Sequence, residues 1–341
     1  MKSDRMKKTA IILLGLALAA GCAKSPQENL NLVNKQVLEA WLSKNYPGAK
    51  ASGNGIYILE DEQPAGEAAA VGTEGWVYLD YTTTSLDEKV TQTTFEDVAR
   101  RVKLYSASKY FGPVVQSLDK SVLPAGMESL FDGMKVGGRR KALVPGWLLS
   151  TERHSTPEEY LEQTTDNSSL VYEVRVVDYF TDVAAWQKEK IAARFAELYG
   201  AADPAQEGFW YHRTGAPDNE DALTAEDEIY INYVGRFLDG KVFDTNVLKV
   251  ARDAGIEKSS TIYRPAKITW ASQYSDLKMT TAGSTSATSV VSGFALTLWQ
   301  MHAHEKGVGM FWSDLGYGSA GQAPVPAYCP LMFEIELVDE Q

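Results

Sequence analysis

The end of the chain alternates between helical and strand patterns. Apolar residues recur at helical spacing in 293–301, which predicts a short helix. The run 308–312 is mostly apolar and predicts a strand, while 331–337 alternates apolar and acidic residues, as a half-buried strand does. A glycine-rich loop around Tyr317 joins the two strands. This end therefore contributes one short helix, two strands and a loop between them.

A similar series of patterns occurs twice in the chain. Amphipathic helices are predicted at 34–42 and 186–195, each followed by a short strand. The strand at 76–81 is matched about 152 residues later by 228–233. A period this long indicates a duplicated domain rather than an array of short repeats. The predicted fold class is α+β, with two tandem domains that each have a leading helix, an antiparallel sheet and one late helix.

The two copies differ in length ahead of the late helix. Residues 271–289 have no counterpart in the first copy and are rich in Ser, Thr and Gly, which predicts a flexible loop. A tolerated surface insertion is the simplest interpretation of this loop. We predict a first domain at 34–180 and a second at 181–341, preceded by a polar tether at 23–33.

Residues 1–22 have the pattern of an export signal. The first eight residues are basic, and the apolar stretch 9–20 is too short to span a bilayer. The stretch Leu18-Ala19-Ala20-Gly21-Cys22 resembles a bacterial lipoprotein signal. That resemblance implies that Cys22 is acylated and anchors the chain to a membrane of the cell envelope. An ordinary secretory signal with a chance cysteine is the alternative.

Composition narrows the classes of function. The chain has 341 residues, of which 44% are hydrophobic and 23% charged, as expected for a globular protein of two domains. Its formal net charge of -12 argues against nucleic acid as a partner, because nucleic-acid binding needs a basic surface. If Cys22 is acylated, Cys329 is the one remaining cysteine and no disulfide forms. The domains then depend on their hydrophobic cores.

Two motifs of the second copy resemble those of FKBP-type peptidyl-prolyl isomerases. Residues 229–245, I-Y-I-N-Y-V-G-R-F-L-D-G-K-V-F-D-T, look like the family's hairpin V-x-Y-x-G-x-L-x-D-G-x-x-F-D-[ST]. Residues 289–337 then follow the family's order of helix, strand, Tyr-Gly loop, proline turn and closing strand. This resemblance covers about the last third of the chain. It implies a curved antiparallel sheet wrapped around a short helix in each copy, and isomerisation of X-Pro bonds without covalent chemistry, cofactor or metal.

The resemblance also implies a proline pocket in the second copy. Phe294 is its floor, where the family usually has Trp, and Asp244 lies at its rim. The Val291 N–H holds the substrate carbonyl, and Tyr317 donates its hydroxyl. Such a pocket removes water from the carbonyl oxygen and so favours the twisted amide. The full set of implied site residues is Tyr233, Phe243, Asp244, Val290, Val291, Phe294, Tyr317, Val325 and Phe333.

Both copies depart from the family pattern. In the second copy, Ala266 stands where the family has an aromatic residue on a flexible strand edge, so one wall is expected to be open. In the first copy, Thr91-Gln92 replaces the Phe-Asp pair, Met127 replaces the floor, and the Tyr-Gly loop is absent. We therefore expect the first copy to keep the fold without the site. The simpler interpretation of the aromatic set is that it belongs to the core.

Three hypotheses of function remain. The first is a lipid-anchored isomerase of exported proteins, with proline-containing or unfolded polypeptides as partners. The second is a binding or chaperone module without turnover. The third is a scaffold lipoprotein, for which exposed side chains of Trp147 and Trp210 would be the sign. His302 and His304 resemble half a metal site, but residues i and i+2 of a helix do not share a face, so we predict no metal.

Overall fold

Two antiparallel sheets and seven α-helices make up the described part of the chain. The computed structural model describes residues 30–52, 55–164, 167–225 and 227–340. The prediction of a mixed helix and antiparallel-sheet fold with two sheets is confirmed. The proposed signal, with Cys22, lies outside the described residues. None of the described helices is both long enough and apolar enough to cross a membrane.

The first sheet and its helices precede Thr181. In chain order the elements are α1 (Leu30–Asn45), β1 (Ala51–Ser52), β2 (Ile56–Glu62), β3 (Trp76–Ser85), β4 (Val90–Thr93), α2 (Glu96–Arg101), β5 (Val114–Ser117), α3 (Ala125–Phe131), β6 (Arg139–Val144), α4 (Pro157–Gln163) and β7 (Leu170–Phe180).

The second sheet and its helices follow. In chain order they are α5 (Val183–Tyr199), β8 (Phe209–Gly215), β9 (Ile229–Phe237), β10 (Val242–Thr245), α6 (Leu248–Asp253), β11 (Ala266–Thr269), β12 (Lys278–Thr280), β13 (Thr288–Ser289), α7 (Ser292–Trp299), β14 (Lys306–Phe311) and β15 (Leu331–Val338).

The two sheets share one strand order. The first runs β2-β6-β7-β3, and both β4 and β5 pair with β3. The second runs β8-β14-β15-β9, and both β10 and β11 pair with β9. Each sheet has an added part at one side, β1 in the first and β12 with β13 in the second. The internal similarity of the sequence therefore corresponds to a repeated topology.

A buried glycine lets each late helix approach its sheet. A Cβ on Gly293 of α7 would lie 2.2 Å from the Phe311 ring of β14, and a Cβ on Gly126 of α3 would lie 2.4 Å from Val144 of β6. The α7 segment is buried from Gly293 to Leu298. Each fully buried large apolar side chain contributes about 1.5–3 kcal/mol, so this short helix is held by packing rather than by its length.

The first helix begins within the segment predicted as a tether. Helix α1 already includes Leu30, and the Asn31 amide donates to the carbonyl oxygens of Leu161 and Thr164 at 3.1 and 3.0 Å. Asn31 is 2% exposed. Helix α1 therefore includes residues before 34, because a polar asparagine, which composition assigned to a linker, is instead buried against the end of α4.

The inserted segment of the second copy is not a structureless loop. Its residues 278–280 and 288–289 form β12 and β13, which extend the sheet beyond β11. Strand β11 is consequently an interior strand, and Ala266 is fully buried where it pairs with Ile231 of β9. The expectation that Ala266 opens a wall at a strand edge is therefore wrong, because the added hairpin has moved the edge of the sheet outward.

Helix α5 contacts both sheets. Its side chain Trp186 stacks on Phe180 at 4.3 Å between ring centroids and meets Tyr78 edge-on at 5.0 Å. The next residue, Gln187, points to a different side of the helix, where it donates to the Ser313 hydroxyl at 3.0 Å and accepts from the Ser313 N–H at 2.7 Å. The connection between the two sheets is thus a helix that packs on side chains from both halves of the chain.

The two tryptophans that would have indicated a scaffold are buried. Trp147 is 8% exposed and Trp210 is 3% exposed. Both rings lie in the cores, and Trp210 also donates its indole N–H to the Ala202 carbonyl oxygen at 3.3 Å. Exposed indole surface lies instead at Trp299, which is 38% exposed and stacks on Trp270 at 5.2 Å.

Candidate functional site

Tyr233 lies at the centre of the candidate pocket, on β9. Its backbone is held by side chains at the end of β10 and directly after it: its N–H donates to the Asn246 amide oxygen at 2.8 Å, and its carbonyl oxygen accepts from the Thr245 hydroxyl at 2.6 Å. Asn246 and Thr245 are buried. Because these bonds fix the backbone on both sides of Tyr233, its ring has a defined position on the inner face of the sheet.

Phe243 is placed by a β-bulge. Val242 pairs with Arg236, whereas Asp244 pairs with the next residue, Gly235, so Phe243 is the extra residue of β10. A bulge bends its strand and re-aims the side chain at that position. Here it brings the Phe243 ring onto the Phe333 ring of β15, edge to face, at 5.6 Å.

Gly235 allows the two rings to meet. It lies opposite Phe333 in the register of β9 and β15. A Cβ at this position would lie 2.8 Å from Cζ of Phe243 and 2.9 Å from Cε1 of Phe333, which is closer than side chains tolerate. The sequence motif contained this glycine, but its role as the site of close approach is visible only in three dimensions.

Three further ring contacts complete the aromatic cluster. Phe294 meets Phe333 edge-on at 5.0 Å and Tyr233 edge-on at 5.7 Å, and Tyr233 is 6.4 Å from Phe333. Edge-to-face pairs of this kind contribute about 0.5–1.5 kcal/mol each beyond their buried area. Tyr233, Phe294, Phe333 and Val325 are at most 7% exposed. The partly exposed members of the predicted set are Phe243, Val290, Val291 and Tyr317.

Two hydrogen-bond donors border this cluster. Val291 is the N-cap residue of α7, and in the described part of the chain its backbone N–H has no acceptor. The Tyr317 hydroxyl likewise has no hydrogen-bond partner among the described residues, while the backbone around it is held by bonds from Gly318 to Ser313 and from Gly321 to Tyr317, at 2.8 and 3.0 Å. Both donors are therefore free of acceptors within the described part of the chain.

Asp244 lies at the exposed rim. Its carboxylate accepts from the Tyr233 hydroxyl at 3.1 Å. The surrounding protein removes part of its hydration and so raises the pKa of Asp244, although the bonds from Tyr233 and the Thr245 N–H and the charge of Lys258 oppose that rise. Burial also raises the pKa of Tyr317, and the nearby Asp244 charge adds to the effect. Tyr317 therefore remains a neutral donor at physiological pH.

Replacing Tyr233 by phenylalanine is expected to raise the pKa of Asp244 further. The hydrogen bond from the Tyr233 phenol is the largest of the interactions that lower this pKa. Loss of this one bond is also expected to cost about 0.5–1.5 kcal/mol of stability. Titration of the Asp244 carboxyl by NMR measures the first effect. Tyr81→Phe, at the matching position of the first copy, is the control and should leave the Asp244 titration unchanged. An unshifted titration in Tyr233→Phe would contradict the assignment of this bond.

The first copy retains the framework of the site with fewer aromatic side chains. The Tyr81 hydroxyl donates to the Gln92 amide oxygen at 3.1 Å, as Tyr233 does to Asp244. A register shift between β3 and β4 again leaves one extra residue, which is Thr91. Tyr172 lies opposite Thr83 rather than opposite a glycine, and the half-buried Met127 follows Gly126 in α3.

The two histidines after α7 lie in separate charge networks. His302 contacts Glu305 at 2.9 Å, and His304 contacts Asp339 at 3.1 Å and also Asp218. No group of three or more His, Cys, Asp or Glu residues among 30–52, 55–164, 167–225 and 227–340 has the arrangement of a metal site. Both residues follow the end of α7 at Trp299, so the helical spacing assumed for them does not apply.

The larger cavities do not coincide with the predicted set. Of five well-formed cavities of about 200–480 Å³ in the part of the chain that the structure describes, none is lined by more than one of the nine predicted residues. The largest of these cavities is lined by Phe243 together with residues of the first domain. Sequence analysis missed these contributors, because nothing in the order of residues shows that the 105–111 loop meets β10. Sequence analysis also did not identify Asn246 and Lys258 as residues that contribute to the candidate site.

Comparison with solved structures finds similar chains of low identity. FkpA from Escherichia coli is 23% identical, with 46% of this chain and 57% of FkpA covered and a TM-score of 0.31. The three FKBP domains of wheat FKBP73 are 14% identical, with 84% of this chain and 94% of that chain covered and a TM-score of 0.27. A peptidyl-prolyl cis-trans isomerase from Pseudomonas syringae pv. tomato is 22% identical, with 47% of this chain and 94% of that chain covered and a TM-score of 0.29.

This chain therefore spans a little over half the length of FkpA. A scan against protein-family models finds no match, and a search of the curated proteins finds none either. With TM-scores this low, the assignment of function depends on the chain's own side chains and their arrangement.

Proposed function

We propose that the second domain is a peptidyl-prolyl cis-trans isomerase of the FKBP type. The observation that carries this proposal is the convergence of the Tyr233, Phe294 and Phe333 rings beside two unoccupied donors, the Val291 N–H and the Tyr317 hydroxyl. The motifs of residues 229–245 and 289–337 support the FKBP assignment.

Catalysis of this reaction needs no nucleophile. Amide resonance sets a rotation barrier of about 18–20 kcal/mol, and that resonance is strongest when the carbonyl oxygen is hydrated. The Phe294 floor and its aromatic neighbours accept the pyrrolidine ring and keep water away from the X-Pro carbonyl. The Val291 N–H binds a substrate carbonyl, and Tyr317 donates to the peptide. Asp244, at the rim, holds the Tyr233 hydroxyl and so fixes the wall.

A protease-coupled assay on a proline tetrapeptide tests the proposal. The wild-type chain should exceed the uncatalysed rate, and Tyr317→Ala should lower kcat/KM about tenfold, since one lost hydrogen bond of about 1.4 kcal/mol corresponds to that factor. Asp244→Ala should also lower the rate. Gln92→Ala, which alters the matching rim residue of the first copy, is the control and should leave turnover unchanged. Wild-type protein no faster than the uncatalysed reaction would refute the proposal.

A binding module without turnover is the second candidate. It is favoured by the position of the largest cavity, which lies between the domains rather than over the Phe294 floor. Suppression of the aggregation of an unfolded client, in the absence of any rate acceleration on the tetrapeptide, would select this candidate over the isomerase.

We also propose that acylated Cys22 anchors the two domains to a membrane of the cell envelope. The support is the sequence Leu18-Ala19-Ala20-Gly21-Cys22 after a short apolar stretch. Cys22→Ser should move the protein from the membrane fraction to the soluble fraction and abolish labelling by a fatty-acid analogue. Cys329→Ser is the matched control and should change neither. Labelling that persists in Cys22→Ser would refute the anchor.

A further inference from the structure

Helix α1 leaves a row of apolar side chains exposed. Leu30, Val33 and Val37 recur at i, i+3 and i+7, so they share one side of the helix, and they are 54%, 44% and 53% exposed. We call this row the outer stripe of α1. Leu32, beside the stripe, is 48% exposed. Of the eleven large apolar side chains that are exposed among the described residues, these four fall within the first half of one helix.

The opposite side of α1 is fixed to the first domain. Leu38 and Leu42 are 1% and 7% exposed and belong to its hydrophobic core. Asn31, in the first turn, is bonded to the Leu161 and Thr164 carbonyl oxygens at the end of α4. Because the inner side of the helix is held near both ends, the outer stripe stays on the surface of the domain.

The surroundings of the stripe are those of a helix that lies in a membrane interface. Trp41 follows Val37 one turn later, is half-buried, and has its ring centroid 5.5 Å from that of Tyr46. Residues 23–50 contain four lysines against two glutamates, whereas the whole chain has a formal net charge of -12. Aliphatic side chains on one face, an aromatic residue at its edge and an excess of lysine favour the surface of an anionic bilayer.

Chain length places the stripe near the proposed anchor. Leu30 follows Cys22 by eight residues. An extended residue spans at most about 3.3–3.6 Å, so the first turn of α1 lies within about 30 Å of Cys22. The stripe occupies the half of α1 that is nearer to Cys22 in the sequence. An acyl chain on Cys22 would therefore hold this apolar surface close to the bilayer.

A second copy of the chain fits the stripe less well than a bilayer does. Side chains of this size that are about half exposed present an apolar area on the order of 300 Å², whereas each partner of a standard protein interface buries about 800 Å². A bilayer sets no such minimum, because an anchored chain is already held at its surface.

We propose that the outer stripe of α1 docks on the surface of the bilayer to which the chain is anchored. The proposal rests on the lipid anchor proposed above. Docking inserts Leu30, Val33 and Val37 below the headgroups, and α1 then lies between the bilayer and the core of the first domain. The helix thereby fixes the orientation of the first domain against the membrane, which a flexible tether alone would leave free.

A fluorescent label on the stripe tests the proposal. Val37→Cys, in a Cys329→Ser background, is labelled with the polarity-sensitive dye NBD, and the acylated protein is reconstituted into phosphatidylcholine–phosphatidylglycerol vesicles that carry a nitroxide near the headgroup. We expect the nitroxide to lower the NBD emission about twofold, because docked side chains lie about 5–10 Å into the interface. Ile262→Cys is the matched control, since Ile262 and Val37 are both 53% exposed, and its emission should not change. Equal quenching at the two positions, or none at Val37, would overturn the proposal.

A charge placed in the stripe supplies the second arm. With the label moved to Val33→Cys, Val37→Asp should abolish the quenching, because a carboxylate resists transfer out of water, whereas Val37→Leu should keep it. Position 37 is exposed, so circular dichroism should show the same fold in both variants. Quenching that survives in Val37→Asp would count against docking through this stripe.

A form without the acyl chain separates this inference from the anchor. If Cys22 is not labelled by a fatty-acid analogue, the Val37 label is measured in Cys22→Ser protein with the same vesicles added. Stronger quenching at Val37 than at Ile262 then supports docking while the anchor fails, and absent quenching overturns docking. A Val37 emission that rises with protein concentration without vesicles, together with a doubled mass in sedimentation, would assign the stripe to a second copy and so refute the proposal.

Discussion

Phe294→Ala is expected to lower the free energy of unfolding by about 3–5 kcal/mol and to abolish turnover on proline peptides. Phe294 is 3% exposed and contacts Tyr233 and Phe333 edge-on, so its removal leaves a cavity that these rings cannot fill without losing their arrangement. The proposed floor for the pyrrolidine ring is lost at the same time. Urea unfolding followed by tryptophan fluorescence measures the first effect, and the protease-coupled assay measures the second.

Met127→Ala is the matched control for the floor. Met127 follows Gly126 in α3 as Phe294 follows Gly293 in α7, but it is half-buried, so a loss below about 2 kcal/mol is expected. Turnover should not change. Because Phe294→Ala can lose activity by unfolding, rates are compared at a temperature where circular dichroism shows it folded. Full turnover by folded Phe294→Ala would exclude this ring as the floor of the site.

Glu305→Ala is expected to destabilise the second domain by about 3 kcal/mol, because it removes a buried charge that has several partners. Glu305 is fully buried directly before β14. It accepts from the Tyr211 hydroxyl of β8, contacts the Arg213 guanidinium at 3.0 Å, and accepts from the His302 N–H at 3.1 Å. Urea unfolding at pH 7 measures the effect.

The stability that Glu305 contributes is expected to depend on pH. Burial by itself would raise the pKa of Glu305, but hydrogen bonds from Tyr211, His302 and Arg213 together hold it below its ordinary value. A carboxyl with a depressed folded pKa contributes stability that is present above its unfolded pKa and is lost as pH falls through the folded pKa. The difference between wild type and Glu305→Ala should therefore shrink below about pH 4.

Glu336→Ala provides the control for Glu305. Glu336 pairs with Lys306 at 2.7 Å, but both side chains are more than one-third exposed, so the expected loss is at most about 1 kcal/mol. Equal losses for Glu305→Ala and Glu336→Ala at pH 7 would show that the buried network does not stabilise the second domain.

Local patterns predicted several elements within a few residues. Alternation in 331–337 corresponds to β15, Leu331–Val338, and helical spacing in 293–301 corresponds to α7, Ser292–Trp299. These predictions succeeded because the period of apolar residues reflects which face an element buries. The duplication was also visible, since residues in matching positions of the two copies build the same strand order.

Predictions of structure failed where they were made from composition without knowledge of tertiary contacts. Ser, Thr and Gly in 271–289 indicated a loop, yet part of that segment pairs as β12 and β13, because an exposed hairpin added to a sheet needs few apolar residues. The family resemblance implied an open wall at Ala266, and that was wrong because the sequence does not show that a later hairpin covers the edge of β11.

For this protein, the sequence alone determined the α+β class, the duplication and the motif residues of the candidate site. Tertiary structure decided which of those residues meet: Gly235 admits the Phe243 and Phe333 rings, and Asn246 holds the backbone of Tyr233. It also decided that the 105–111 loop faces β10 across a groove. The reason is that periodicity records the environment of each residue along its own element, whereas close approach between distant segments depends on the packing of the whole chain.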